Sequence, residues 1–152
     1  MESLKENIKL TGSVSVKLIG SDGVVKQEHT DHNLVVTVGK SYLAAWLVSA
    51  SGAFMPYIGL GTGVSGPASG DTTLGAELSG GGYSRVLGTL TSASNVWTNT
   101  VTFAPGNGTA AITEAGIFSA ATSGTLFAHQ VFPVYNKQAG DTMVIVWNVS
   151  FN

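Results

Sequence analysis

His29 and His32 lie within a few positions of Asp22, Glu28 and Asp31, a set of side chains from which a metal site could be assembled if the ligands converged. Spacing alone is a weak signal, and a solvated polar loop is the simpler reading; no metal and no cofactor are predicted. His129 stands in an apolar β-type run beside Phe127 and Phe132, where a structural or interface role outweighs ligation. Of the nine acidic residues, only Glu77 and Glu114 occupy otherwise apolar surroundings, which makes them the pair to weigh for glycoside hydrolysis. Glu114, between Thr113 and Ala115, reads better as a partner for backbone or a neighbouring threonine than as an acid catalyst. A serine hydrolase would place its nucleophile in Gly-x-Ser-x-Gly, and Gly63-Val64-Ser65-Gly66 breaks that pattern at its last position. Gly39-Lys40-Ser41 has the ending of a phosphate-binding loop, but Leu34 stands where the motif requires its first glycine. Gly59, Gly61 and Gly63 alternate with Leu60 and Thr62 and then run into a Ser/Gly/Pro loop instead of a helix. Their role is close backbone approach, or a bend, at the end of a strand. No catalytic residue and no enzyme activity are predicted.

Composition narrows the classes further. Charged residues make up 11% of 152 residues, far below the usual quarter or so, and the net charge is −2. Lys and Arg are scattered, so a nucleic-acid partner has no electrostatic basis. Cysteine is absent, which removes disulfides and thiolate chemistry. The polar start, Met1 to Asn7, lacks the apolar core of a signal peptide, and no run approaches the roughly 20 apolar residues of a membrane helix. Synthesis in the cytosol without membrane contact is the expectation. So few charges on a small domain imply a surface clothed in Ser, Thr, Gly and Asn or covered by other subunits, and a homo-oligomer is the expectation.

These residues must be positioned by strands. Ile8, Leu10, Val14, Val16 and Leu18 alternate with polar residues, the period of a half-buried strand. Gly20-Ser21-Asp22-Gly23 predicts a hairpin turn into Val24–His29, with a break at Thr30–Asn33. Leu43, Trp46, Leu47 and Ala50 share one face of a short helix near residues 39–50, which is expected to be held by a buried Trp46. Asp71 could cap a helical turn reaching Leu78, and Gly63 to Gly82 is the segment expected to move most. Tyr83–Ser92 and Val96–Ala104 read as long strands. Ile112–Phe118 and Thr125–Phe132 form a hairpin, and Met143–Phe151 is expected to complete a C-terminal β-meander. The fold class is all-β, mainly antiparallel, a β-sandwich or jelly roll with one short helix. Residues 1–7 form an N-terminal arm and residues 8–152 a single domain.

Five segments in this order resemble small virion structural proteins of tailed bacteriophages: Asn33-Leu34-Val35-Val36 with Gly39-Lys40; Tyr57 to Gly63; Asp71-Thr72-Thr73-Leu74 with Glu77-Leu78; Ile112 to Phe118; and Ser123 to Ala128 before Val144-Ile145-Val146-Trp147. The resemblance implies a phage virion component. Within that class, a single compact domain without fibrous repeats favours a capsid decoration (cement) protein, a trimer on the capsid surface that clamps the major capsid protein. The alternative is a tail, baseplate or fibre component that binds host-surface glycan through exposed aromatics. A third reading, a carbohydrate-active enzyme, would depend on Glu77 or Glu114. The apolar residues least committed to a strand pattern, Leu4 and Ile8 of the arm and Phe54 and Met55 of a loop, are the expected interface contacts.

Overall fold

The computed structural model describes residues 7–152. Its elements in chain order are β1 (Leu10–Ile19), β2 (Val25–Val35), α1 (Thr37–Ser49), β3 (Tyr57–Gly61), β4 (Val86–Leu87), β5 (Thr89–Ala93), β6 (Val96–Phe103), β7 (Ala110–Phe118), β8 (Leu126–Lys137) and β9 (Thr142–Phe151). Every pairing is antiparallel, in the order β4-β3-β7-β8-β2-β1-β9-β6-β5. The all-β class with one short helix is therefore correct.

Two segments each serve both halves of this folded sheet. β2 pairs with β1 as far as Gly12↔Asn33 and then passes to β8 at Leu34↔His129 and Val35↔Ala128. Residues 86–93 pair with β3 in their first part and with β6 in their second. The switch falls at Gly88, whose N–H donates to Pro56 O at 2.8 Å. Any Cβ at Gly88 would overlap the amide oxygen of buried Asn99. The sheet thus nearly closes on itself, and the core lies between its halves. Val14, Val16 and Leu18 of β1, Val101 and Phe103 of β6, and Met143, Ile145, Trp147 and Val149 of β9 supply one inner face. Ile58, Leu60, Ile112, Ile117, Phe132 and Tyr135 belong to the same core from the β3–β7–β8 half. Tyr135 ties the halves together by donating its hydroxyl to Val16 O at 3.2 Å. Burial, followed by the nearby charge of Glu28, pushes that phenol up to about 12.

Several sequence expectations need correction. The break at Thr30–Asn33 is absent: without Gly or Pro, the run stays extended and simply changes partner. β9 is not the third strand of a meander. It inserts between β1 and β6, in ten-residue register with β1 from Leu10↔Phe151 to Ile19↔Thr142. β8 does not stop at Pro133 but continues to Lys137. Its register slips between Ile112↔Tyr135 and Glu114↔Val131, and Pro133 occupies this irregularity, where a ladder donor can be missing. Tyr83–Ser92 is two short strands divided at Gly88. Asp71–Leu78 is irregular, with no helical turn, because Asp71 bonds across the fold instead of starting a helix.

Candidate functional site

Two sites emerge. The first is a carboxylate–histidine cluster. Glu114 and Gly116 alternate on β7, and Gly116 is the register partner of His129 on β8, so Glu114 and His129 meet diagonally across the ladder. His129 Nε2 lies 2.9 Å from Glu114 Oε2, and its Nδ1 lies 2.9 Å from Asp71 Oδ2. Both ring nitrogens face carboxylate oxygens. The imidazolium can donate to both, whereas a neutral ring would turn one lone pair toward an acceptor.

Glu114 is fully buried and does most of its bonding to main chain. Oε1 accepts the N–H groups of Gly63 (2.9 Å) and Ala76 (2.7 Å), and Oε2 accepts that of Gly75 (3.0 Å). Burial opposes its ionisation, but these three donors and His129 outweigh it, so the carboxyl titrates below its ordinary range. Asp71 is also held low, first by the N–H of Ala68 and then by His129. The alternating glycines now have a reason. A Cβ on Gly61 or Gly63 would run into the Glu114 carboxylate, and one on Gly59 would press on Glu77 and Arg85.

Glu77 is equally committed. Arg85 grips it with Nε (2.6 Å) and Nη2 (2.9 Å), donates through Nη1 to Ala120 O (3.0 Å) and Ser123 O, and stacks 3.4 Å over the Phe118 ring. The segment from Gly63 to Gly82, expected to move most, is therefore tied along its length. It is further anchored where Thr37 N–H donates to Ser69 O at 2.9 Å. Glu77 and Glu114 act here as structural acceptors. His29 and Asp31 sit on one exposed edge of β2, 3.6 Å apart, and among the described residues no group of three His, Asp or Glu is placed to hold a metal ion.

The second site is an apolar groove of about 1140 Å³ between α1 and the ends of β1, β6 and β9. Its walls include Ile8, Leu10, Leu43, Trp46, Leu47, Phe54, Trp97, Val149 and Phe151, and among the described residues its only charged lining residues are Lys9 and Lys40. Phe54 is the hub of the wall, with ring centroids 5.3 Å from Trp46 and Phe127, 6.0 Å from Tyr42 and 6.1 Å from Trp97. α1 approaches the sheet through Gly39, where a Cβ would strike the Phe127 backbone. Only this end is buried. Trp46 is half-buried instead of enclosed, and Leu47 is 70% exposed.

Of the expected contact residues, Ile8 is 80% exposed at the groove and Phe54 is half-buried in its wall, so these two share one site. Met55 is a core residue with 0% exposure and presents nothing to a partner in this fold. It looks uncommitted in sequence because its neighbours show no alternation, yet it fills space beneath Asn99, whose Nδ2 donates to its carbonyl at 3.2 Å. Leu4 lies outside the described residues. The cluster of Asp71, Glu114 and His129 went unrecognised because its members are far apart in sequence. The one signal available was the short hairpin link, which sets the register that opposes His129 to Gly116.

No curated protein and no solved structure gives a significant match to the chain. The family model of the podophage GP4 fibre I protein gp80 matches residues 41–148, from α1 almost to the end of β9 and well over half of the chain. The chain belongs to this family, and the resemblance to bacteriophage virion structural proteins holds at that level.

Proposed function

We propose that this member of the podophage fibre family is a structural subunit of the tail-fibre apparatus, held in place by protein–protein contact. The family match carries the reading, and it favours the fibre address over the capsid surface first inferred. The larger site supports contact with polypeptide. Its walls are mainly aliphatic and aromatic, with Lys9, Lys40, Ser92, Ser94 and Asn95 as the polar side chains, a balance that favours polypeptide over sugar. Buried Glu114 and half-buried Glu77 are both engaged in holding the loop, which suits a scaffold.

The test is co-sedimentation of the purified chain with separated phage heads and tails, quantified as copies per particle. Saturable binding to tails in few copies is expected. Saturable binding to heads, at copy numbers on the scale of the shell subunits, would make it a capsid decoration protein in contact with the major capsid protein and would sink the fibre reading.

One observation favours a second reading, host-surface binding. A smaller depression of about 340 Å³ is lined by Ser65, Asp71, Thr72 and Thr73, whose oxygens could meet sugar hydroxyls. Binding to host cells that is lost in Thr72→Ala/Thr73→Ala would support it; binding that survives the pair, or no binding at all, would remove it.

A further inference from the structure

We infer that the groove and the outer face of α1 form the seat for a second copy of this chain, the tip of each helix entering the other's groove. α1 reads Thr-Val-Gly-Lys-Ser-Tyr-Leu-Ala-Ala-Trp-Leu-Val-Ser, and Lys40 is its only ionic residue. Leu43 and Trp46 face the domain, yet Ala44, Ala45, Leu47 and Val48 are exposed, Val48 by 89%. Thr37, Lys40 and Ser41 make the outer side of the first turns polar, but from Ala44 to Val48 the helix is apolar outward as well as inward, and such a surface is ordinarily covered. Among the described residues nothing covers it.

A convex and a concave feature lie next to each other on this face. The knob is Leu47 with Val48. The hollow is the groove between α1 and the ends of β1 and β9, flanked by Ile8 and Phe151. Ile8, Leu47, Val48 and Phe151 together leave an apolar patch on the order of a few hundred Å², the size at which a monomer's patch marks an interaction site. Walls of the hollow would add to this toward the roughly 800 Å² per partner of a stable interface. A knob adjacent to its own complementary hollow is the requirement for an isologous pair, in which residue i meets j and j meets i.

Charge agrees with a second copy. Lys40 is the single charge on the exposed side of α1, which leaves little for a charged partner to match. Lys40 precedes Val48 by eight residues, about 12 Å along the axis. An antiparallel crossing at Leu47–Val48 therefore sets the two Lys40 residues about 24 Å apart, several screening lengths at physiological salt. Small outward residues, Ala44 and Ala45, let the two helices approach closely.

The experiment uses the full chain. Sedimentation equilibrium over a wide concentration range should show a monomer–dimer equilibrium, and Val48→Glu should weaken it at least about 30-fold, the scale of an interface-centre contact. Circular dichroism and the melting temperature of Val48→Glu should match the parent, since Val48 touches little in the monomer. The chain has no cysteine, so Val48→Cys should form a disulfide-linked dimer under mild oxidation while Ser65→Cys, outside the groove, should not. A monomer at every concentration, or a dimer that Val48→Glu leaves intact, overturns the proposal. A trimer overturns the antiparallel pair, because a threefold axis makes heterologous contacts and not the reciprocal ones of an isologous pair.

Discussion

Two long connections flank β3, and they are held in opposite ways. The segment leading into β3 contains α1, a regular helix that meets its own main-chain hydrogen bonds, approaches the sheet closely at Gly39 and packs Tyr42 and Leu43 on the core while its other side stays exposed. The segment leaving β3, from Thr62 to Arg85, contains no helix and one isolated bridge, yet Glu114, His129, Asp71, Thr113 and Arg85 fasten it. Regularity and commitment to the fold are thus separable. An irregular loop must find outside acceptors for its N–H groups, and here one buried carboxylate receives three of them. A helix has no such need, which leaves its side chains available for another molecule.

The strongest way to break this contrast is Glu114→Ala. It leaves three loop N–H groups and His129 without their acceptor, and a loss of about 3–5 kcal/mol is expected on removing one partner from a buried ionic cluster. Urea unfolding measures the total, and hydrogen exchange at Gly63, Gly75 and Ala76 should accelerate before any amide of β1 or β9. Acid should do the same more gently. Glu114 and Asp71 titrate below their ordinary values of 4.5 and 3.8, so their contribution is complete above those values and is lost as the pH falls through the lower folded ones. Limited proteolysis from about pH 5 to about pH 2, with an acid-active protease, should show cleavage appearing first within residues 63–82. A loop that stays protected until global unfolding would break the assignment. Arg85→Lys is expected to cost about 2 kcal/mol, since an ammonium cannot grip Glu77 with two nitrogens, reach two carbonyls and stack on Phe118 together. On the other side of the comparison, Val48→Ser should change the melting free energy of the monomer by less than about 0.5 kcal/mol. A larger loss would mean that α1 is bound into the monomer after all.

Periodicity made the inner faces legible. Val14, Val16 and Leu18, and Asn99, Val101 and Phe103, point inward as their alternation requires. It is silent about neighbours, which is why β9 seemed to follow β8 when it lies between β1 and β6. An alternating strand fits beside any other that offers an apolar face, and the choice is made by the whole closed sheet. Gly59, Gly61 and Gly63 announced a close approach, but the group approaching, Glu114, comes from some fifty residues later. Glu114 itself was readable as a backbone partner because an acid in an apolar strand has few other ways to be tolerated. Its three donors were not, since they belong to a loop whose path only those bonds define. For α1, three-and-four spacing located the helix but overstated its burial, because Leu47 continues the stripe past the point where the sheet ends beneath it.

The β1–β9 ladder has a mechanical consequence. Leu10 pairs with Phe151, and Lys9 and Asn152 exchange backbone hydrogen bonds beyond them, so both strands can be gripped at the same pole of the molecule. Tension applied between these neighbouring residues would peel the ladder open rung by rung instead of shearing all its bonds at once. Load entering there would meet little resistance, so a part that must bear pulling force is better gripped across its flanks, with the strands in parallel.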